Sequence, residues 1–512
     1  MRFCVLRTFL TVCTPSADGV FSYVLAFFRV CVYNIGLYAE RGHTVNRYKK
    51  LFSTTFILGI GTFSSKLLTF LLVPLYTHVL TKGEYGIVDL LVQTANLLIP
   101  LVSLGINEGI LRFGIDDEID HRAVFTSGFV TIFIGFGAFC LLYPAVRLLP
   151  IADGYTPWIY VFVLCSMLHY LCARFTKALG HVRLYAASGV LGTALTLLFD
   201  LLFLLLFQWG ILGYILAIVL SDIGTILFLT VTAKLYRYLR FAKLDKAVWR
   251  AMLKYSVPLI PTTVLWWVTD VSDRYIVKAI IGADANGLYA VSYKIPTIMI
   301  LLCGIFMDAW QLSVLSEKSR LERQQFFSRV FSMYQSVMFL SASGLIVFAK
   351  VITRILVAES FYASWQYIPV LIIATVFSCL VTFLGSIYVV EKRSKSTLWT
   401  TVLGAVANII GNLLLIPVWG VQGAAISTAL SYALVFAVRA LHSRRLIPMQ
   451  WDLPRFLFNL AVVCVQAAVM VAECRGWMII EAVLLLLVLA VNFKTLWQAV
   501  LAVVGSKKGK TA

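Results

Sequence analysis

Charged side chains are scarce in this sequence. Only 13% of its 512 residues are charged and 61% are hydrophobic. Soluble domains have about 25% charged and roughly 45–50% apolar residues, so this composition excludes a soluble globular enzyme. Because apolar runs recur along most of the length, the pattern indicates a polytopic membrane protein rather than a domain with a single anchor.

Motifs that would indicate a cofactor are also missing. The ten cysteines are scattered, with no Cys-x-x-Cys spacing and no clustered histidine partner. This distribution argues against a zinc site and against a disulfide framework. No Gly-x-x-x-x-Gly-Lys-Ser/Thr loop is present, so we expect neither intrinsic ATP hydrolysis nor a bound cofactor.

Long apolar segments define the predicted fold. A bilayer core of about 30 Å requires about 20 apolar residues in each helix. Fourteen such segments follow one another with short connections, which predicts an all-α polytopic membrane protein. The predicted spans are 52–79, 86–111, 123–148, 157–178, 183–208, 210–236, 256–281, 286–313, 329–352, 365–390, 396–417, 421–441, 455–473 and 476–501.

The distribution of basic residues predicts the orientation. The chain has 43 Lys and Arg against 24 Asp and Glu, a net charge of +19. If the first span enters from the cytoplasm, 31 basic residues lie on inside segments and six on outside loops. This asymmetry predicts that both termini are cytoplasmic. The positive charge then faces anionic membrane lipids, and we expect no nucleic-acid partner.

Residues 1–44 do not fit the pattern of spans. The stretch from Val20 to Tyr38 is interrupted by Arg29, and no small-residue cleavage site follows a compact apolar core. These features argue against a signal peptide. We expect residues 1–44 to be an extension upstream of a translation start at Val45.

The sequence contains an internal duplication. The Trp-Gly-x-x-Gly motif at Trp209 recurs at Trp419, segment 80–87 matches 281–288, and Asp200 corresponds to Asn412. Two six-helix units in the same orientation imply a pseudo-twofold axis along the membrane normal, with a substrate path between the lobes. The predicted domains are an N-lobe at 45–250, a C-lobe at 251–450, and two added helices with a basic cytoplasmic tail at 451–512.

Two segments resemble a known family. They are GIGTFSSKLLTFLLVPLYTHVLTKGEYGIVDLL at 59–91 and SDRYIVKAIIGADANGLYAVSYKI at 272–295. With the fourteen spans, they resemble the polysaccharide-repeat-unit flippases of the multidrug/oligosaccharidyl-lipid/polysaccharide exporter superfamily, over about residues 46–505.

This resemblance implies a V-shaped, two-lobe transporter of the bacterial cytoplasmic (inner) membrane. Its substrate would be an undecaprenyl-pyrophosphate-linked oligosaccharide, moved from the cytoplasmic to the outer leaflet for O-antigen (lipopolysaccharide), capsule or exopolysaccharide assembly. A polysaccharide polymerase and other assembly proteins are the implied partners.

Cations inside the spans are candidates for substrate binding. An ionisable side chain at a helix centre costs roughly 2.5–3.5 kcal/mol on insertion scales, so each requires a partner or a wet cavity. The resemblance implies that such cations bind the substrate pyrophosphate. Lys66 is the leading candidate, with inter-helix pairing as its alternative. Arg274 and Lys294 follow, and Arg112 is either a cavity residue or an interface anchor.

Intramembrane carboxylates are candidates for coupling to H⁺ or Na⁺. Asp270 lies four residues before Arg274, and Asp273 is adjacent, so Asp270 and Arg274 share a helix face. They either neutralise one another or contact substrate or a coupling ion. Asp89, Asp200 and Asp222 are further candidates, and Asp200 with Asn412 also fits a polar contact within each lobe.

Three other functions are compatible with parts of the sequence. A cation-coupled multidrug exporter and a lipid II flippase belong to the same superfamily, although intramembrane cations suit a pyrophosphate better than an organic cation. A membrane prenyl or glycosyl transferase would use Asp-rich motifs such as 116–120 and Asp270-x-x-Asp273. Those two motifs fall on a cytoplasmic loop and inside a span, so we predict a transporter and not an enzyme.

Overall fold

The computed structural model describes residues 70, 72–116, 118–147, 154–314, 320–391 and 393–508. Within these ranges all regular structure is helical. The extension at 1–44, Lys66 and most of the first predicted span lie outside the described residues.

The first sequence repeat forms a set of closely connected helices. One of these helices ends at Asp200 and continues directly into a π-helical turn at Leu201–Leu206. The helices are α1 (Val73–Val79), α2 (Lys82–Val102), α3 (Ile106–Gly114), α4 (His121–Leu141), α5 (Tyr143–Arg147), α6 (Thr156–Ala178), α7 (Val182–Asp200) and α8 (Gly210–Thr232).

A short linker joins the repeats and contains two 3₁₀ turns, Leu235–Arg237 and Phe241–Lys243, and α9 (Lys246–Ser256). A 3₁₀ turn at Val257–Leu259 leads into the second repeat, and another spans Glu359–Gln366. The second repeat and the C-terminal pair comprise α10 (Ile260–Ile280), α11 (Ala283–Ser292), α12 (Thr297–Val314), α13 (Arg320–Val347), α14 (Ala349–Leu356), α15 (Ile368–Val390), α16 (Ser394–Leu446), α17 (Leu453–Ala472) and α18 (Trp477–Lys508).

The helices confirm a multi-pass membrane protein. Ten of those in the described ranges are long and apolar enough to cross a bilayer, or eleven if α11 and the first part of α12, bent by 45°, form one span. The prediction of fourteen spans is not confirmed as a count.

The longest helix, α16, is a hairpin of two helices. Gly420 interrupts it with non-helical angles, φ 60° and ψ −141°. Asn408 Nδ2 donates to Thr428 Oγ1 at 3.2 Å, although a straight helix would separate residues twenty apart by about 30 Å. The chain therefore turns back at Gly420, between the predicted spans 396–417 and 421–441.

The repeated Trp-Gly-x-x-Gly motif has the same structural role in both halves. Its first glycine has a positive φ in each copy, +54° at Gly210 and +60° at Gly420. Its second glycine lies against the preceding helix. A Cβ atom on Gly213 would lie 3.2 Å from a backbone carbonyl oxygen of that helix, and one on Gly423 would lie 2.2 Å from Leu415 O. One glycine turns the chain and the other lets the next helix pack closely.

The two halves meet where α2 crosses α11. A Cβ atom on Gly86 would lie 2.3 Å from Ala283 O, and one on Gly287 would lie 2.0 Å from Lys82 O. Asn286 Nδ2 also donates to Gly86 O at 2.8 Å. The segments 80–87 and 281–288, which match in sequence, therefore pack against each other through their glycines.

Gly287→Ala should destabilise this crossing. Alanine favours a helix intrinsically, but its methyl group would overlap the backbone of α2, and overpacking costs typically about 1–3 kcal/mol. We expect a lower Tm of the detergent-purified protein. Gly137→Ala in α4, where a Cβ atom meets nothing within 4 Å, is the matched control and should not lower the Tm. Equal effects of the two substitutions would contradict the close crossing.

Candidate functional site

A buried ion pair joins the two halves beside the glycine crossing. Arg274 Nη1 of α10 donates to both carboxylate oxygens of Asp89 on α2, at 2.6 and 2.7 Å. Asp89 lies about two turns into α2, whose start Thr81 and Glu84 fix through a capping box. The Tyr293 ring lies 4.6 Å from the guanidinium carbon and adds a cation–π contact.

Asp273 is surrounded by hydrogen-bond donors. Its Oδ2 accepts from Tyr289 OH at 2.6 Å, Tyr293 OH at 2.9 Å and Thr428 Oγ1 at 3.2 Å. Its Oδ1 accepts from the backbone N–H of Arg274 at 2.8 Å. These bonds connect α10, α11 and the second arm of α16 in the C-terminal half.

Asp270 does not form an ion pair with Arg274, so the predicted neutralisation of these two side chains along one helix face is wrong. Asp270 instead accepts a hydrogen bond from Tyr432 OH. Residues four apart on a helix are neighbours, but Arg274 Nη1 instead donates to both carboxylate oxygens of Asp89 on a different helix. Arg274 is therefore an inter-half contact rather than a free cavity cation.

The remaining predicted cations have different environments. Lys294 is half-buried and close enough to Asp89 and Arg274 to interact electrostatically with both. Arg112 is exposed on α3. Lys66 falls outside the described residues, so its predicted role stays a prediction.

Asp200 and Asp222 make contacts inside the N-terminal half. Tyr76 OH donates to Asp200 Oδ2 at 2.6 Å, which links α1 to α7. Asp222 on α8 contacts Ser166 Oγ at 2.5 Å and His169 Nδ1 at 2.6 Å, both on α6. Both carboxylates are buried.

A cavity of about 280 Å³ lies between the halves near the C-terminal end of α2. Arg174 on α6 and Glu108 on α3 line it and form an ion pair at 3.1 Å, with both side chains part exposed. Its polar lining residues are Asn96, Ser103, Asn107, Glu108, Tyr170, Arg174, Ser256 and Thr263. The cavity therefore offers a guanidinium, amides and hydroxyls to a polar ligand.

Sequence reasoning missed Arg174 and also Arg439. Arg439 is 1% exposed, and its guanidinium donates to Thr400 Oγ1, Val381 O and Thr401 Oγ1. Both arginines lie near predicted cytoplasmic helix ends, where basic residues normally serve as anchors. For Arg174 the available signal was its position in the same predicted span as two other polar side chains, His169 and Tyr170.

Breaking the ion pair should destabilise the protein. Arg274→Gln leaves the Asp89 carboxylate buried without its counter-ion, which costs about 3–5 kcal/mol. We expect a low yield of folded protein and a lower Tm in detergent. The double variant Asp89→Asn with Arg274→Gln restores neutrality and should recover most of the loss. If the decreases in Tm of Asp89→Asn alone and Arg274→Gln alone simply added up in the double variant, the two charges would not interact.

Comparisons with solved structures show the same fold at low sequence identity. The lipid II flippase MurJ in an inward closed conformation aligns with a TM-score of 0.67 and 13% identity, covering 87% of this chain and 100% of that protein. The Vibrio cholerae MATE transporter VcmN aligns with a TM-score of 0.55 and 17% identity, covering 78% and 97%. A MOP superfamily transporter from Pyrococcus furiosus, described as having a binding pocket of reverse polarity, aligns at 0.54 and 13%, covering 76% and 94%.

A family model gives the sequence relationship. No curated protein matches the chain significantly. The model described as polysaccharide biosynthesis protein matches residues 51–310, which is half of the chain, and includes both segments on which the resemblance was based. The folds that match are those of flippases and transporters rather than enzymes. The chain therefore belongs to the polysaccharide biosynthesis protein family, and its fold is the one seen in the flippase MurJ and the MATE transporters.

Proposed function

We propose that the protein flips polyprenyl-pyrophosphate-linked oligosaccharide repeat units across the bacterial cytoplasmic membrane. The predicted orientation, with both termini in the cytoplasm, sets the direction as cytoplasmic to outer leaflet. The product would feed surface polysaccharide assembly, with a polymerase acting downstream. The single observation that carries this proposal is the polar cavity between the halves, lined by Arg174, in a chain of this family.

The cavity chemistry suits the headgroup of such a substrate. A guanidinium recognises phosphate oxygens through two parallel N–H···O bonds, and Arg174 already binds one carboxylate oxygen of Glu108. A pyrophosphate arriving in the cavity would compete with Glu108 for the same donors. Asn96 and Asn107 offer amides that hydrogen-bond to sugar hydroxyls.

The geometry of α2 supports alternating access. Along this helix the close crossing at Gly86 and the cavity residue Pro100 are about 21 Å apart. In the predicted orientation the crossing is on the outer side and the cavity on the cytoplasmic side. With the crossing closed on the outer side, the cavity would receive a substrate from the cytoplasm while the path to the outer leaflet stays closed.

An ion gradient is the energy source in this proposal, with H⁺ or Na⁺ as the coupling ion. Asp270 and Asp273 are carboxylates within the C-terminal half, and Thr428 contacts Asp273. Asn412 Oδ1 is buried without a hydrogen-bond donor in the described residues, so an oxygen acceptor remains available there. Carboxylate and amide oxygens together suit a proton or a hard cation.

Arg174→Ala should abolish most transport while the protein remains in the membrane. Charge-assisted hydrogen bonds contribute about 1.5–3 kcal/mol each, so we expect roughly a 10- to 100-fold loss of apparent substrate affinity. Arg174→Lys should retain part of the activity because it keeps the charge. The exposed Arg183→Ala is the control and should be fully active. Wild-type transport by Arg174→Ala would remove this residue from the substrate site.

Deletion of the gene tests the proposed step. We expect loss of surface glycan together with accumulation of the completed lipid-linked unit in the inner leaflet. Unchanged glycan with new sensitivity to cationic drugs would instead indicate a multidrug exporter.

A lipid II flippase is the second candidate, favoured by the alignment that covers the whole length of MurJ. Its deletion phenotype would be accumulation of peptidoglycan precursor with surface glycan intact. Because both substrates carry a polyprenyl pyrophosphate, the Arg174 prediction applies to both, and the accumulated lipid separates them.

A further inference from the structure

The linker between the two repeats, residues 233–259, is strongly basic. It contains one acidic residue, Asp245, and that carboxylate accepts hydrogen bonds from Ala247 N and Val248 N at the start of α9. Its seven basic residues are Lys234, Arg237, Arg240, Lys243, Lys246, Arg250 and Lys254. Such a concentration of one charge attracts anions from outside the linker.

The basic residues of α9 form a stripe on one face. Lys246, Arg250 and Lys254 are four residues apart and all exposed. In the part of the chain that the structure describes, no carboxylate forms an ion pair with any of the three. The stripe is therefore available to an external anion.

The opposite face of α9 is fixed against the N-terminal half. Met252 is fully buried, and Trp249 Nε1 donates to Thr131 Oγ1 of α4 at 2.8 Å. A Cβ atom on Gly109 of α3 would lie only 2.6 Å from Ser256 Oγ, so α9 and α3 pack closely. This docking sets the direction of the stripe and holds it away from the protein.

Exposed aromatic side chains lie among the cations. Tyr236 is 58% exposed, Phe241 63% and Tyr255 43%. Aromatic rings interleaved with Lys and Arg are typical of a segment at the membrane–water interface, because the rings lie at headgroup level while the cations meet phosphates. A soluble acidic protein would match the charge but would give these rings no apolar boundary.

We propose that the linker binds the headgroups of anionic phospholipids in the leaflet on the predicted cytoplasmic side. Lys246, Arg250 and Lys254 contact the phosphodiesters, while Tyr236, Phe241 and Tyr255 enter the headgroup layer. Since the linker connects the two repeats, bound lipid holds the junction between them at the membrane surface. This role is separate from the substrate cavity and does not depend on which lipid-linked unit is transported.

The test measures binding of fluorescent phosphatidylglycerol to the purified full-length protein by anisotropy, with phosphatidylcholine as the neutral competitor. The wild type should prefer phosphatidylglycerol. Lys246→Gln/Arg250→Gln/Lys254→Gln should weaken this binding roughly 100-fold, since each cation near an anionic surface contributes about a factor of five. The charge-matched control is Arg147→Gln/Arg354→Gln/Arg475→Gln, which removes three exposed basic residues of predicted outer loops and should bind as the wild type does.

Equal phosphatidylglycerol binding by the linker variant and the wild type would overturn the proposal, and so would an equal loss in the outer-loop control. A salt titration of the wild type tests the same contact if the linker variant does not fold. Raising ionic strength from 0.15 M to about 1 M shortens the Debye length from about 8 Å to about 3 Å, so the preference should fall. A preference that is insensitive to salt would also overturn the proposal. Neither readout depends on transport activity.

Discussion

The ion pair between Asp89 and Arg274 is the contact on which the arrangement of the two halves depends. Both side chains are buried, so each charge has lost most of its hydration. Each therefore requires the other, and this fixes α2 against α10. The same arginine presents its guanidinium to Tyr293, while its backbone N–H binds Asp273. Through these contacts the inter-half pair is continuous with the polar network of the C-terminal half.

One helix, α2, connects the closed side of the molecule to the cavity. It carries Gly86 at the close crossing, Asp89 in the ion pair, and Asn96 and Pro100 at the cavity wall. A tilt of α2 that opened the crossing would also move the cavity wall. Proline inside this helix removes one backbone hydrogen bond and permits such bending. This coupling is the physical basis that the proposed flipping cycle requires.

Much of the fold could be predicted from the sequence because the repeated residues have strict backbone requirements. The Trp-Gly-x-x-Gly motif recurs since a chain reversal between two packed helices needs a positive φ at one glycine and no side chain at the other. The family resemblance at 59–91 and 272–295 is confirmed by the family model that covers both. The number of spans does not follow from apolar length alone, since charged α10 and hairpin α16 each depart from a simple apolar segment.

The candidate site was harder to predict because it depends on contacts between distant segments. Spacing along α10 favoured Asp270 as the partner of Arg274, and only the fold brings Asp89, 185 positions away, to the guanidinium. Arg174 resembles an interfacial anchor in sequence, and its position in the cavity depends on how α6 packs beside α3. Local patterns identify which side chains are polar, whereas tertiary packing selects their partners.

The central proposal is that this protein moves a lipid-linked oligosaccharide across a bilayer. The most direct measurement uses purified protein in proteoliposomes that carry a fluorescent polyprenyl-pyrophosphate-linked oligosaccharide, with an ion gradient imposed and a membrane-impermeant quencher outside. The account predicts that the quenchable fraction changes over time as labelled lipid moves between leaflets, and that empty liposomes show no change. A leaflet distribution that is the same with and without the protein, under gradients of either H⁺ or Na⁺, would contradict it.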